Sequence, residues 1–381
     1  MSYLEAGKKA IKTLKENGFE AYFVGGFVRD YLLGIEANDI DIATNALPND
    51  IINLFEVITT GIKYNSIKII CDGYEFETTT YRLESQYLDN RHPTYSVANS
   101  ISDDLKRRDF TINAMAMDEN FNIVDLFGGK DDLEHKLIKT VFEPQKRFSE
   151  DSLRMLRAAY FASKLGFEIE KETLNSMKRC SYLVQNLSVD RVSWELEKII
   201  NSYNPLIGLN YLIEANIAPY LYNFKNAIFI YSKKLITSNS WPLFVAISYY
   251  DDIDALNYLH LKGNLAKTII TAINLAKECK KNNFTKLHLF EYGVLVVQLA
   301  NDINKYIHNS KDYLNIESDY NNLPIHKLSD LAIKGQDIID NINLKDNRMI
   351  NTIIQKVKEL VINEKLENDK DLIIKYIKKH Y

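Results

Sequence analysis

Residues 23–45 read FVGGFVRDYLLGIEANDIDIATN, and the rest of the chain is understood from this stretch outward. Ala21 to Val24 form a short apolar run of strand character, and after Gly25-Gly26 the residues Phe27, Val28, Tyr31, Leu32 and Leu33 recur at helical spacing. The glycine pair is therefore expected at a strand-to-helix turn, where backbone can approach a phosphate and the first N–H groups of the helix point at it. Arg29, one turn into that helix, adds a planar fork of donors for a phosphate oxygen. Asp39-Ile40-Asp41-Ile42 follows. On a strand, residues i and i+2 share a face, so both carboxylates are expected on one side and both isoleucines in the core. Neighbouring carboxylates repel unless a cation lies between them, and hard oxygen ligands favour Mg²⁺. A phosphate cradle beside a magnesium pair suits phosphoryl or nucleotidyl transfer. Taken singly, Gly-Gly is most often a turn and Asp-x-Asp a solvated strand end. Their order within about one βαβ unit favours the functional reading.

Composition sets bounds on that reading. The 381 residues leave room for more than one domain. The net charge of −4 gives no sign of nucleic-acid binding, so any RNA contact has to come from a local basic surface. Cys71, Cys180 and Cys279 are far apart with no CxxC spacing, and read as buried or free thiols of a reducing compartment. The first residues, MSYLEAGKKAIKTLKENG, carry an amphipathic helix pattern over 2–17 and no signal-peptide core, and no run has the length to span a bilayer. A cytoplasmic protein is expected.

The arrangement of the opening stretch resembles the GG…DxD signature of the DNA polymerase beta nucleotidyltransferase superfamily. The fuller strings here, GGFVRDYLLG and DIDIATNA, resemble class II tRNA nucleotidyltransferases (CCA-adding enzymes) and bacterial poly(A) polymerases. Past a helix begun by Pro48, Ser66 to Cys71 and Tyr74 to Tyr81 read as strands joined by a two-residue Asp72-Gly73 hairpin turn. Glu75, Glu77 and Thr79 share one face of the second strand, so Glu77 is positioned to bring a third carboxylate to the metal site. The string EFETTTYR occupies the place of the family's VEVTTFR-like strand. Residues 82–103 show no regular period, and a loop of that length is either disordered or functional. Their Asp89, Arg91 and Pro93 are similar to the DxRxP core of a flexible loop found in full CCA-adding enzymes and absent from CC-adding relatives. DDLKRRDFTINAMAM resembles the family's RRDFTxNA motif, which implies triphosphate and ribose contacts from Arg107, Arg108, Asp109 and Asn113, with Arg108 as the main phosphate ligand. By itself such a cluster would read as a surface ion pair.

From Pro144 strand signals fade and helical spacing runs to the end. RFSEDSLRMLRAAYFASKLGF is expected as a helix, with Asp151 and Arg154 three apart on one face and Arg157 a turn further. The bland account is a solvated i,i+3 ion pair. The functional account is base selection: an aspartate accepts from the exocyclic amino group of cytosine or adenine while an arginine donates to the adjacent ring acceptor, an edge that guanine and uracil lack. EDxLRxLRA resembles the family's fourth motif, a match covering Glu150, Asp151, Arg154 and Arg157. It implies this role for Asp151 and Arg154 toward CTP and ATP, and nucleotide contacts from Arg157 and the position of Tyr160. The family commonly has another arginine three residues beyond Arg157, where this chain has Tyr160. SVDRVSWELEKII resembles the fifth motif, a helix that buttresses the template helix, and Asp190, Arg191 and Glu195 are read as structural. Residues 205–310 carry no motif. In the last segment Leu331, Ile333, Gly335 and Asp337 match an LxIxGxDL pattern of Firmicute-type enzymes. Lys345 and Arg348, with Lys356, Lys358 and Lys365 beyond, are candidates for sequence-independent contacts to the tRNA backbone.

The fold expected is α+β: a nucleotidyltransferase head with a small mixed sheet (1–142), then an all-helical neck (143–204), body (205–310) and tail (311–381). The resemblance implies CCA addition to tRNA from CTP and ATP, with two Mg²⁺ ions on Asp39 and Asp41 and triphosphate contacts from Gly25, Gly26, Arg29, Arg108 and Asn113. No membrane and no protein partner is implied. A poly(A) polymerase or an enzyme adding only A shares the head motifs. A catalytically inactive RNA-binding homologue would show damage to the metal or template pair, and both are intact. Neither a Walker lysine motif nor GxGxxG is present, which disfavours a P-loop kinase or dinucleotide-binding protein.

Overall fold

The computed structural model describes the chain except residues 1, 37–38, 59–65, 88–92, 99, 237, 262, 282 and 343–348. It divides into two compact units, Met1–Asn239 and Ser240–Tyr381.

The first unit is built on a seven-stranded mixed sheet ordered β3-β4-β5-β2-β1-β8-β9. Its strands are β1 (Ala21–Val24), β2 (Asp41–Thr44), β3 (Glu56–Ile58), β4 (Ser66–Cys71), β5 (Tyr74–Thr80), β8 (Met115–Met117) and β9 (Ile123–Asp125). Neighbours run antiparallel except β2 and β5, whose parallel register sets Asp41 opposite Glu77. Asp72 and Gly73 turn the β4–β5 hairpin with φ of +49° and +80°, the left-handed pair that a two-residue turn needs. Helix α1 (Tyr3–Glu16) lays Ala6, Ala10, Ile11 and Leu14 on the sheet. A Cβ at its Gly7 would come within 3.0 Å of the Phe23 ring and 3.2 Å of Phe76, so glycine sets how closely the helix sits.

Two expectations about the head change. The Asp-x-Asp strand begins at Asp41, and Asp39 stands exposed just before it, while Ile40 and Ile42 are buried as the alternation requires. The stretch after Tyr81 is not a plain loop: β6 (Arg82–Tyr87) and β7 (Pro93–Val97) pair antiparallel, from Arg82 opposite Val97 to Tyr87 opposite Pro93. Tyr81, fully buried, anchors the base of this ribbon by donating its N–H to the Thr44 carbonyl (2.7 Å) and accepting from Ala98 N–H (3.0 Å). The two runs are short and rich in polar residues, with Pro93 opening the second, so the ribbon reads as a loop in the sequence. Asp89 and Arg91 lie outside the described residues, and Pro93 opens β7.

After α4 (Ile101–Lys106), α5 (Gly129–Glu134) and the short strand β10 (Leu137–Ile138), the chain turns helical. Among the described residues, β11 (Glu168–Ile169), parallel to β10, is the one strand between the helices that follow in this unit. These are α6 (Pro144–Glu150), α7 (Leu153–Leu165), α8 (Lys171–Cys180), α9 (Val189–Ile200), α10 (Pro205–Glu214) and α11 (Phe224–Lys234). The continuous helix expected over 147–167 is broken at Asp151, whose φ/ψ of −147°/106° is extended. Apolar spacing on either side stays in phase, which hides the break from a sequence reading. Gly208 lets α10 close on α7, since a Cβ there would lie 2.6 Å from the Ala159 carbonyl.

The second unit is helical: α12 (Trp241–Ser248), α13 (Leu265–Glu278), α14 (Lys286–His308), α15 (Ile316–Asn321), α16 (Gly335–Asn341), α17 (Met349–Ile362) and α18 (Lys370–His380). Gly293, at φ +73°, kinks α14. The LxIxGxDL residues are structural: Leu331 and Ile333 are buried, Gly335 starts α16, and Asp337 accepts the Lys334 N–H (2.7 Å) and pairs with Lys370 (2.6 Å). Lys358 is 8% exposed and bonded to Glu291 (3.1 Å), so it is not part of a solvated basic face. Lys345 and Arg348 lie outside the described residues. Among those residues no helix is long and apolar enough to cross a membrane.

Candidate active site

A cleft of about 570 Å³ in the first unit gathers most of the residues singled out from the sequence. The sheet side contributes Gly25, Gly26, Arg29, Asp39, Asp41 and Arg108, and the helices after Pro144 contribute Asp151, Arg154, Arg157, Tyr160 and Phe161. Arg107, Asp109 and Asn113 also line it. Glu77 does not.

The sheet side depends on one glycine. Gly25 follows β1 where Val24 pairs with Asp41, and caps α2 (Gly26–Leu32) at φ +70°. A Cβ built there would stand 2.8 Å from Arg108 Nη1 and 3.7 Å from Asp41 Oδ2. Any side chain at 25 would thus meet a strained backbone and the arginine at once. Arg29 is 2% exposed, donating to Asn113 Oδ1 (2.7 Å) and Asp30 Oδ1 (2.7 Å), with its guanidinium 5.2 Å from the centre of the Phe161 ring. Arg108 pairs with Asp104 (3.1 Å), while its buried Nε has no partner among the described residues. Asp104, fully buried, also holds Arg107 at 2.7 Å. Burial alone would raise the Asp104 pKa, but the charges of Arg108 and Arg107 and their hydrogen bonds hold it below the usual carboxylate range.

Asp41 goes the other way. Burial first, then the charges of Asp39 and Glu77, raise its pKa to about 6, against a smaller opposing pull from Arg108. A carboxylate under that pressure either takes a proton or takes a cation. Two carboxylates with oxygen donors only, one of them exposed, suit a hard divalent ion such as Mg²⁺. Glu77 instead accepts from the Ser66 hydroxyl (2.7 Å). Glu77, set opposite Asp41 by the parallel register of β2 and β5, adds its charge to the pressure on that carboxylate.

On the helix side every charge has a protein partner. Asp151, at the α6–α7 break, accepts from Leu153 N–H (3.0 Å) and receives Arg191 Nη2 on both oxygens (3.1 and 3.0 Å). It is therefore not simply one member of an i,i+3 helical pair, as the spacing suggested. Arg154, 6% exposed, donates to Glu150 (2.9 Å) and to the carbonyls of Arg147 (3.0 Å) and Arg107 (3.3 Å). Arg157 pairs with Asp109 at 2.6 Å. Burial would raise Asp109, yet Arg157 and the donors Asn113 and Phe110 N–H keep it low. Asp109 thus holds Arg157 and Asn113 in place from its position on the cleft wall. Tyr160 lies beneath Lys198, whose Nζ is 5.8 Å from the ring centre, and burial raises its hydroxyl pKa.

Sequence reasoning missed Arg147 and Asp104. Arg147 donates to the carbonyls of Arg107 (2.5 Å) and Arg108 (2.7 Å) and to Glu150 (2.5 Å), joining the two sides of the cleft. A contact spanning 39 and 40 residues through backbone carbonyls leaves no trace in local spacing. Asp104 had a signal, since it lies three and four residues before two arginines.

Three family models match along the chain: "Poly A polymerase head domain" over residues 21–139, "Probable RNA and SrmB- binding site of polymerase A" over 166–226, and tRNA nucleotidyltransferase domain 2 over 239–377. The CCA-adding enzyme of Ligilactobacillus salivarius is 34% identical across 98% of this chain and 96% of its own length. That of Bacillus pumilus is 36% identical across 96% and 95%. The crystal structure of Bacillus stearothermophilus CCA-adding enzyme in complex with CTP superimposes with a TM-score of 0.83 at 28% identity, covering 100% of this chain and 98% of that one.

Proposed function

The chain belongs to the CCA-adding enzymes, and on that premise we propose how its cleft carries out the addition. The enzyme builds and repairs the 3′-terminal CCA of tRNA from CTP and ATP without a nucleic-acid template, releasing pyrophosphate. The tRNA 3′-hydroxyl attacks the α-phosphorus of the nucleotide. The N–H groups at Gly25 and Gly26, with Arg29 and Arg108, hold the triphosphate, and Asn113 fixes Arg29 by its 2.7 Å bond. Asp39 and Asp41 would hold two Mg²⁺ ions, which supply charge neutralisation and a lowered pKa for the attacking hydroxyl. Asp151 accepts from the exocyclic amino group of cytosine or adenine and Arg154 donates to the neighbouring ring acceptor, so the chain itself is the template. Arg157 holds Asp109 and with Tyr160 shapes the base side. Asp89, Arg91 and Pro93 govern the change from C to A, and Lys345 and Arg348 hold the tRNA backbone. The division into head, neck, body and tail and a cytoplasmic location belong to the same proposal.

The observation that carries this reading is the convergence on one cleft of a carboxylate pair whose Asp41 is driven up to about 6 and a base-reading pair held by Arg191 and Glu150. The test is addition to a tRNA transcript lacking its 3′ end, with CTP, ATP, GTP and UTP offered singly and together with Mg²⁺. Three additions, C, C and then A, followed by arrest are expected. Long A tails would replace the reading with a poly(A) polymerase, and A added only after CC with an A-adding enzyme.

A further inference from the structure

The chain holds two tryptophans. Trp241 is 5% exposed, whereas Trp194, in the middle of α9, is 63% exposed. Single exposed hydrophobics are common on protein surfaces, so position is what matters here. Helix α9 buries Val192, Leu196, Ile199 and Ile200. Three residues before Trp194, Arg191 grips Asp151 of the cleft; four residues after it, Lys198 lies over Tyr160 of the cleft and bonds to Glu195 (2.8 Å). Residues three and four apart share one helix face. The indole therefore stands in the row of side chains that reaches the cleft, flanked by two cations, without lining the cleft itself. On the outward side of Trp194 the neighbours at the same spacings are acidic, Asp190 and Glu197.

We infer that Trp194 is a stacking platform for a base of the tRNA 3′ end where the single strand approaches the cleft. The indole offers its face to a base, Arg191 and Lys198 draw the phosphates to the cleft side, and Asp190 and Glu197 keep the backbone from crossing the outer face. Stacking suits a site whose primer ends differently after every addition, because each base presents a π-face whatever its hydrogen-bonding edge. This inference rests on the reading of the cleft as the place where CCA is built.

The experiment uses the full chain. With Trp241→Phe, tryptophan fluorescence reports Trp194 alone. Transcripts lacking CCA are expected to quench it, and CTP alone is not. Trp194→Ala is expected to raise the KM for tRNA roughly five- to a hundredfold, the range of one lost base stack, with the KM for CTP within about twofold. Trp194→Phe, which keeps a smaller ring, is expected to recover most of the loss. An unchanged KM for tRNA in Trp194→Ala, with no quenching, overturns the platform while CCA addition by the wild-type enzyme leaves the function intact. Quenching by tRNA with no nucleotide added keeps the platform and overturns the reaction assigned to the cleft.

Discussion

Asp41 and Asp109 line the same cleft and are driven in opposite directions. Asp41 sits among carboxylates and is pushed up to about 6, whereas Asp109 sits among donors and is held below the ordinary range. The difference separates the two sides of the site. The sheet side is electrostatically incomplete, with repulsion that a proton relieves at low pH and a bound cation relieves at neutral pH. The helix side is complete in itself, with Asp151, Arg154 and Arg157 each tied to a protein partner. Chemistry is assigned to the unfinished side and recognition to the finished one. Recognition needs donors and acceptors that do not shift between substrates, and a closed network holds them still.

Breaking the unfinished side has the largest effect. Asp41→Asn is expected to lower kcat about a thousandfold, a few kcal/mol of lost charge stabilisation, while leaving melting unchanged or raised. The sign follows from the shift: the folded pKa exceeds the unfolded one, so stability is fully present at low pH and falls as pH rises through about 6. Without divalent cations the wild type should lose on the order of 3 kcal/mol across that window, and Asp41→Asn should flatten the curve. Melting scans from pH 4 to 8 check both; a variant that melts lower at pH 8 would contradict the repulsion.

The finished side should behave in reverse. Arg157→Met strands Asp109 and is expected to cost about 3 kcal/mol, the low end for a buried pair because Arg157 is partly exposed. Here the folded pKa of Asp109 is depressed, so its stabilisation is present above the unfolded value and drains away as pH falls through the folded one. Denaturant titrations should show the variant's deficit in full at neutral pH and shrinking as pH falls through the carboxylate range. Protonation there relieves the stranded Asp109 charge while it removes the stabilisation from the wild type. Asp151→Asn keeps the shape but puts a donor where an acceptor stood. It is expected to reduce the preference for CTP and ATP over UTP and GTP about a hundredfold, read from competitive incorporation. The smallest effect is expected from Tyr160→Arg, which restores the family's arginine. A two- to fivefold fall in the KM for CTP would show that the site has room for another cation; a rise would show that Lys198 over Tyr160 already fills that place.

Much of the sheet side was legible because its determinants are local: two glycines after a strand, two aspartates two apart, and a turn dipeptide between strands. The helix side was legible in composition and misjudged in shape. Asp151 keeps helical spacing with its neighbours while its backbone leaves the helix, and only tertiary partners, Arg191 above all, give a reason for it. Arg147 and its carbonyl partners were invisible for the same reason. The β6–β7 ribbon was missed because its two runs are short and mostly polar and a proline opens the second. Glu77 was rightly set on the face of Asp41, but the spacing could not show that Ser66 engages it.

The two-residue turn between β4 and β5 also bears on where this protein can change length. Cys71 pairs with Tyr74 across that turn, and the same β5 sets Glu77 beside Asp41 in parallel register. Because side chains alternate every residue, inserting or deleting one residue between Tyr74 and Glu77 would bring a different residue opposite Asp41 and turn buried Phe76 toward the other face. Length variation among natural sequences should therefore avoid the β4–β5 hairpin and collect between β3 and β4, upstream of the pairing that sets Asp41.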